Sequence, residues 1–185
     1  MNEKSWRDIL PPIFADCVHT EDGRYKMSAP FVSGEYVSAT DGRICVRMPK
    51  AGIDLSVIPP CEKAPPLDGL AWNKEYGLPL PVPEIEPEPE LEDCETCNGT
   101  GQHWCGDCEA EHDCGQCDAT GKKDVVYKPI DCGGPTPLGS GYVRKLFKHG
   151  AKLYPPVGGD QFRPWRFTIG NNIEGLLMPM RKEPA

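Results

Sequence analysis

The 185-residue sequence lacks any long hydrophobic run. No stretch reaches the roughly 18 apolar residues that a helix needs to span a bilayer, and the first residues, MNEKSWR, lack the apolar core of a secretory signal. Aromatic residues are also few, at 8% of the chain. These absences predict a cytoplasmic protein without a membrane partner, built from one or two small domains around a modest hydrophobic core.

The middle of the chain lacks positive charge altogether. Residues 84–118 contain 12 acidic and no basic side chains, whereas residues 1–83 carry a net charge of −2 and residues 119–185 a net charge of +6. Alternating proline and glutamate favour a stiff, extended linker over residues 82–93. Because charge acts through its distribution, the overall charge of −8 does not exclude a nucleic-acid partner for the rest of the chain.

Cysteine, by contrast, is abundant and clustered. Six of the ten cysteines lie within 24 consecutive residues, in three Cys-x2-Cys pairs. The outer pairs are separated by 16 residues, which is typical of a four-thiolate zinc site. Gly99, Gly101 and Gly121 would let the chain turn back with positive φ and bring amides near the thiolates. The predicted zinc ligands are Cys94, Cys97, Cys114 and Cys117.

The middle pair, Cys105 and Cys108, needs two further ligands to bind a second zinc. His103 and His112 flank the pair at short distances, so a Cys2His2 site is one hypothesis and ordinary surface histidines are the other. A closed four-ligand shell leaves no position for a catalytic water. We predict that the protein is not an enzyme, with a thiol oxidoreductase using the middle pair as the alternative.

The remaining hydrophobic pattern predicts an α+β domain, an antiparallel sheet with two helices. Strands are predicted over residues 31–38 and 43–48, joined by a turn at Asp41-Gly42, and again over 165–169 and 173–180. A further strand is predicted near residues 69–72, and one at 125–127.

Two helices complete this pattern. Ser5 is placed to cap a short first helix, and residues 142–152 predict an amphipathic second helix. The second helix would carry a basic stripe, formed by Arg144, Lys145, Lys148 and Lys152.

The domain organisation follows from these elements. Residues 1–81 and 125–185 are predicted to form one domain, 82–93 the acidic linker, and 94–124 a small zinc-binding insertion.

The outer cysteine pairs resemble a known zinc module. The segments Cys94-Glu-Thr-Cys-Asn-Gly-Thr-Gly101 and Cys114-Gly-Gln-Cys-Asp-Ala-Thr-Gly121 are similar to the Cys-x2-Cys-x-Gly-x-Gly repeats of the DnaJ-type cysteine-rich domain. That family has four such repeats, which pair first with last and second with third. The resemblance implies the outer zinc; the middle pair here lacks the repeat's glycines, and the chain has no His-Pro-Asp J-domain signature.

Two other segments resemble bacterial sliding clamps, the beta subunit of the replicative DNA polymerase. Ser38-Ala-Thr-Asp-Gly-Arg-Ile-Cys-Val46 is similar to the clamp's strand-turn-strand, and Leu176-Leu-Met-Pro-Met-Arg181 is similar to its C-terminal strand. The order of the predicted helix and strands between them also fits the end of a clamp domain. The resemblance implies a clamp-like domain that binds double-stranded DNA through its backbone, with the basic stripe facing the phosphates.

The clamp resemblance also implies an apolar pocket for short peptide motifs of replication proteins. The residues that match this pocket are Thr40, Gly42, Arg43, Leu176 and Met178. In the clamp, the turn and the terminal strand come from neighbouring domains. Since this chain has room for one such domain, we expect the pocket to form only between copies in a homo-oligomer, or not at all.

The sequence therefore predicts a clamp-like accessory protein of DNA replication, compact enough to be phage-encoded, with a zinc-stabilised insertion that binds proteins. The alternative is a zinc-scaffolded protein-binding or regulatory module without DNA binding.

Overall fold

The computed structural model describes residues 5–19, 27–61, 64–70, 72–85, 92–105, 108–114, 121–123, 129–158 and 162–180. The chain divides into two compact units. Unit 1 comprises Met1–Glu84 together with Pro129–Ala185, and unit 2 comprises Ile85–Lys128. Within the described residues, no helix is both long and apolar enough to cross a membrane.

The fold is mixed α and β, with mostly antiparallel strands and, in the described residues, two α-helices. The helices are α1 (Ile13–Asp16) and α2 (Ser140–Lys148). The strands, in chain order, are β1 (Phe31–Ser33), β2 (Tyr36–Thr40), β3 (Ile44–Pro49), β4 (Leu80–Pro81), β5 (Glu92–Asp93), β6 (Gln102–Cys105), β7 (Ala110–Asp113), β8 (Lys122–Lys123), β9 (Pro129–Ile130), β10 (Leu138–Gly139), β11 (Lys152–Tyr154), β12 (Trp165–Ile169) and β13 (Ile173–Leu177).

Unit 1 is organised around a seven-stranded sheet, counted over the described ranges, in the order β1-β2-β3-β13-β12-β11-β4. Every neighbouring pair in this sheet is antiparallel. The pairing of β3 with β13 joins residues that are far apart in sequence, with Cys45 opposite Leu176 and Ile44 opposite Leu177. This pairing places the Asp41-Gly42 turn beside the end of the last strand.

Successive side chains of a strand point to opposite faces of a sheet. In the central strands of this sheet, consecutive residues are buried, so both faces are covered. One face carries Val46, Phe167 and Leu177, all fully buried. On the other face Cys45 and Leu176 pack in a cluster with Trp72. A two-sided core explains why the central strands are nearly continuous in apolar residues.

The predicted N-terminal helix forms as a single 3-10 turn, Trp6–Asp8. The Ser5 side chain accepts a hydrogen bond from the Arg7 backbone, and Asp8 reaches back to the Ser5 backbone in a capping box. The predicted cap at Ser5 is therefore confirmed. Pro11 and Pro12 then redirect the chain into α1.

The predicted strand over residues 31–38 is instead two strands, β1 and β2. A turn at Gly34-Glu35 separates them, and Gly34 adopts a φ of 55°, which side chains rarely tolerate. The strand predicted near residues 69–72 is also wrong, because Leu67–Gly69 forms a 3-10 turn. The strand predicted at 125–127 lies outside the described residues.

The second helix is shorter than predicted, since it ends at Lys148 rather than Lys152. His149 is the C-cap and Gly150 has a φ of 63°. The Ala151 N–H donates to the Leu146 carbonyl and the Gly150 N–H to the Phe147 carbonyl. This is a Schellman motif, which ends the helix before residue 152.

Candidate functional site

Unit 2 contains a compact group of thiols. The sulfur atoms of Cys94, Cys97 and Cys114 lie within 4.8 Å of one another, and all three residues are buried. The Sγ atoms of Cys94 and Cys114 are 3.9 Å apart. Thiolates bound to one tetrahedral zinc at about 2.3 Å stand about 3.8 Å apart. The three cysteines are therefore close enough to bind a metal ion, and their spacing fits zinc.

The backbone around these thiols is shaped by three glycines, all with positive φ: Gly99, Gly101 and Gly121. A Cβ on Gly121 would collide with the Gly99 carbonyl. The Gly101 N–H donates to the Cys97 sulfur at 3.3 Å. The prediction that glycines turn the chain back with positive φ is thus confirmed, and at Gly101 an amide faces a thiolate.

The thiol of Cys94 is tuned towards the thiolate form that binds metal. Burial raises the pKa of this thiol. Hydrogen bonds from the backbone of Cys97 and Thr96 and from the Cys97 and Cys114 thiols lower it, and their combined effect is larger, so the pKa falls to about 6. A thiolate is the species that zinc binds, and the lowered pKa favours this form of Cys94 at neutral pH. The fourth predicted ligand, Cys117, lies outside the described residues.

The residues predicted for a second zinc lie on a hairpin formed by β6 and β7. His103 pairs with His112 across the hairpin, and Cys105 pairs with Ala110. His103, Cys108 and His112 are exposed, and the Cys108 Sγ lies 2.8 Å from the His112 Nε2. The side chain of Cys105 lies outside what the structure describes.

Unit 1 contains an apolar cavity of about 220 Å³. All five residues predicted for a peptide pocket line it: Thr40, Gly42, Arg43, Leu176 and Met178. The expectation that they would meet only between copies of the chain, or not at all, is wrong. Since β3 and β13 are neighbours in one sheet, the turn and the terminal strand converge within a single chain.

The turn at the cavity is rigid because its side chains hydrogen-bond to its own backbone. The Thr40 hydroxyl donates to the Ile44 carbonyl and accepts from the Gly42 N–H. Asp41 accepts from the N–H groups of Arg43 and Ile44. The Tyr142 hydroxyl of α2 donates to the same carboxylate at 3.0 Å.

The terminal strand is fixed to this turn directly, since the Met178 N–H donates to the Arg43 carbonyl at 2.8 Å. Leu176 is buried, whereas the Met178 side chain is 43% exposed at the rim. The cavity therefore has a closed apolar floor and an accessible apolar edge.

Sequence reasoning missed the opposite wall of the cavity, which comes from a proline-rich segment and from Pro164. That segment is anchored at Trp72, whose indole N–H donates to the Leu67 carbonyl and whose ring stacks 3.7 Å from the Arg47 guanidinium. The proline-rich segment has no clear helical or strand periodicity, so its sequence did not predict that it would form this wall. Its residues are Pro65, Pro66, Leu67 and Leu70.

A second depression, of about 490 Å³, adjoins the cavity and shares Leu70, Pro164 and Met178 with it. Its other walls include Phe162, which is 59% exposed. Two cations, Lys74 and Arg163, also line it. The two concavities thus combine an apolar pocket with a positively charged neighbour.

The basic residues predicted to face DNA do not form one stripe. Lys145 is partly buried, and its amino group donates to the Asp16 carbonyl at 2.8 Å. The Lys148 Nζ lies 3.6 Å from the Asp16 carboxylate but is 70% exposed. Arg144 is half-buried, and Lys152 is exposed on β11 rather than on the helix, because the helix ends at residue 148.

No family model, curated protein or solved structure matches this chain. The likenesses to the sliding clamp and to the DnaJ-type module therefore depend on the local motifs alone.

Proposed function

We propose that this protein is a non-enzymatic, sliding-clamp-like accessory factor of DNA replication whose main activity is to bind short peptide segments of partner proteins. The observation that carries this proposal is the apolar cavity at which the Thr40–Arg43 turn meets the end of β13 and the Met178 that follows it. Such a cavity gains affinity by burying a few apolar anchor side chains.

The chemistry of the occupant follows from the walls. The cavity has a volume of about 220 Å³, which gives room for one or two large side chains. These side chains should be aliphatic or aromatic, because the floor includes Leu176 and Ile44. The adjoining depression places Lys74 and Arg163 next to it, and the Arg163 guanidinium is held by the Val157 carbonyl at 2.7 Å. We therefore expect a peptide with an apolar anchor followed or preceded by an acidic residue.

Fluorescence anisotropy with the full-length protein tests this proposal. The probes are labelled peptides with two adjacent leucine or phenylalanine residues, with and without a neighbouring aspartate. Met178→Asp should weaken binding of both peptides by about tenfold or more, because it places a charge on the apolar rim. The Lys74→Glu, Arg163→Glu double variant should weaken only the acidic peptide.

The matched control is Leu78→Asp, because Leu78 is 84% exposed and lies outside both concavities. Its binding should equal that of the wild type. If neither peptide binds, or if Leu78→Asp weakens binding as much as Met178→Asp, the peptide-binding proposal is wrong.

The metal at the cysteine cluster is proposed to be zinc, with Cys117 as its fourth ligand and a purely structural role. Three buried thiols within 4.8 Å of one another support a closed four-thiolate shell, and such a shell gives no open position for water. Zinc would then stabilise unit 2 as a second surface for protein partners.

DNA association is the second part of the proposal, and it does not include Lys145, whose amino group donates to the Asp16 carbonyl. It is carried by the exposed cations Lys148 and Lys152. Binding to a labelled duplex should fall steeply with salt, and Lys148→Glu with Lys152→Glu should reduce the salt slope by about two. No binding at low salt would favour the alternative, a zinc-scaffolded binding module that acts without DNA.

A further inference from the structure

One tryptophan of this chain is exposed to solvent. Trp104 lies on β6 in unit 2 and is 64% exposed, whereas Trp6, Trp72 and Trp165 are buried. Tryptophan is the largest apolar side chain, and leaving it in water forgoes the free energy that its burial would release. Exposed tryptophans are also among the residues that contribute most to protein interfaces. Packing within the chain therefore does not account for the position of Trp104, whereas contact with a partner would.

The hairpin of β6 and β7 places two carboxylates beside this ring. Glu111 lies directly opposite Trp104, and Asp113 lies opposite Gln102. Because side chains alternate along a strand, these side chains share one face of the hairpin, and all of them are exposed. Directly opposed Cβ atoms in a hairpin are about 5 Å apart and diagonal ones about 7 Å. Both carboxylates are thus within reach of a group that stacks on the Trp104 ring.

The sequence around this face carries negative charge without positive charge. Residues 84–118 contain 12 acidic and no basic side chains. An ion pair of unit 2, between Lys122 and Asp93, lies on the β5–β8 pair and not on this hairpin. The charge of the hairpin therefore favours a cationic partner.

The cation that fits both features is a guanidinium group. Arginine stacks on aromatic rings, tryptophan being the best of them, and it bonds to carboxylates through two parallel N–H groups. We propose that the face formed by Trp104, Glu111 and Asp113 binds an arginine side chain in a basic segment of a partner protein. This inference rests on the proposed function of unit 2 as a second surface for protein partners, and it identifies the chemistry of that partner.

General attraction between an acidic segment and any cation is the rival explanation. Such attraction depends on charge alone, so it would bind arginine and lysine equally well. Stacking on the ring instead favours the planar guanidinium over the compact, strongly hydrated ammonium group. The preference for arginine, and its dependence on Trp104, therefore separates the two explanations.

Fluorescence anisotropy with the full-length protein tests the proposal. The probes are labelled peptides in which glycine alternates with arginine or with lysine. The arginine peptide should bind more tightly than the lysine peptide, by about threefold or more. Trp104→Ala should weaken binding of the arginine peptide by about tenfold and remove this preference, whereas Trp104→Phe should keep part of it. Glu111→Gln with Asp113→Asn should weaken binding of both peptides by about tenfold.

Two matched controls lie in unit 1. Glu75→Gln with Glu84→Gln removes the same charge from two exposed positions, and Phe162→Ala removes an aromatic ring that is 59% exposed. Both should bind the arginine peptide as the wild type does. Hydrogen exchange over β6 and β7 should be the same in Trp104→Ala as in the wild type, because an exposed ring does not hold the hairpin together.

Three results would overturn the proposal. The first is that Trp104→Ala binds the arginine peptide as tightly as the wild type. The second is that the Glu75→Gln, Glu84→Gln control weakens binding as much as the paired change on the hairpin. The third is self-association that Trp104→Ala abolishes, without peptide binding, which would assign the face to a second copy of the chain. Met178→Asp should bind the arginine peptide normally, so failure at this face and failure at the apolar cavity are distinguishable.

Discussion

The two units of this protein are stabilised by different means. Unit 1 buries large apolar side chains, among them Phe14, Phe31, Trp165 and Phe167. In the described residues of unit 2, the buried side chains are the thiols of Cys94, Cys97 and Cys114. The buried core of unit 1 is thus apolar and is stabilised by the hydrophobic effect, whereas the buried side chains in the described part of unit 2 are three thiols close enough to bind a metal ion.

This difference also separates the two candidate functions. A hydrophobic core supports a rigid sheet, and the sheet positions the cavity between the turn and the last strand. In unit 2, three buried thiols lie among described residues that are mostly polar and acidic. The units should therefore respond independently to perturbation, and each prediction below asks whether they do.

The largest effect is expected from metal removal. Chelation, or Cys94→Ser with Cys97→Ser, should abolish the structure of unit 2, because structural zinc supplies about 10–16 kcal/mol of apparent binding free energy in small zinc domains. Hydrogen exchange should show loss of amide protection over residues 92–123, with protection in β3, β12 and β13 unchanged. Collapse of both units would show that they share one source of stability.

The converse perturbation is Trp165→Ala. Trp165 is fully buried, and its indole N–H donates to the Thr136 hydroxyl. Truncation should lower the free energy of unfolding of unit 1 by about 3–5 kcal/mol, as measured by urea denaturation. Zinc stoichiometry should stay at the wild-type value. If zinc content falls together with the stability of unit 1, the contrast between the two units does not hold.

A smaller effect should follow from Gly121→Ala, which acts on unit 2 alone. The added Cβ collides with the Gly99 carbonyl, and the φ of 73° disfavours any side chain. We expect the zinc dissociation constant to rise about 30-fold, corresponding to about 2 kcal/mol. Competition with a chromogenic chelator measures this constant.

Gly34→Ala is the control for strain without collision. Gly34 has a φ of 55°, but open space surrounds its Cβ position. This variant should cost unit 1 about 1 kcal/mol and leave zinc affinity unchanged. Equal zinc affinities in the two variants would refute the proposed role of Gly121.

The smallest effect concerns pH. Burial raises the pKa of Cys45 to about 12, so the folded state keeps this thiol protonated. In the unfolded chain a thiol ionises near pH 8.5. The contribution of Cys45 to the stability of unit 1 is thus fully present below pH 8.5 and is lost as the pH rises towards 12.

At pH 9.5 this loss should reach about 1 kcal/mol for Cys45. Urea denaturation at pH 7.5 and 9.5 should therefore show a smaller decrease in Cys45→Ala than in the wild type. An unchanged decrease would mean that the thiol is not protonated in the folded state at pH 9.5.

The two units also differ in how much of their structure the sequence pattern predicted. In unit 2, short spacings carried the information: the cysteine pairs and the glycines that follow them act within a few residues, so their positions in the sequence largely set their positions in space. In unit 1, strands β12 and β13 were predicted correctly at their cores, but the split at Gly34 and the helix end at Gly150 were missed. Both depend on a single glycine with positive φ, a weak local signal.

By itself, the sequence determined the α+β class, the division of charge, the cysteine spacing and the rigid Asp41-Gly42 turn, because each depends on residues close together in the chain. Only the tertiary structure decided that β3 pairs with β13 and that the residues predicted for the pocket line one cavity within one chain. It also decided that the Lys145 amino group donates to the Asp16 carbonyl. These depend on contacts between residues more than a hundred positions apart. Their free energy comes from burying apolar surface across the whole sheet, and no local pattern encodes that choice.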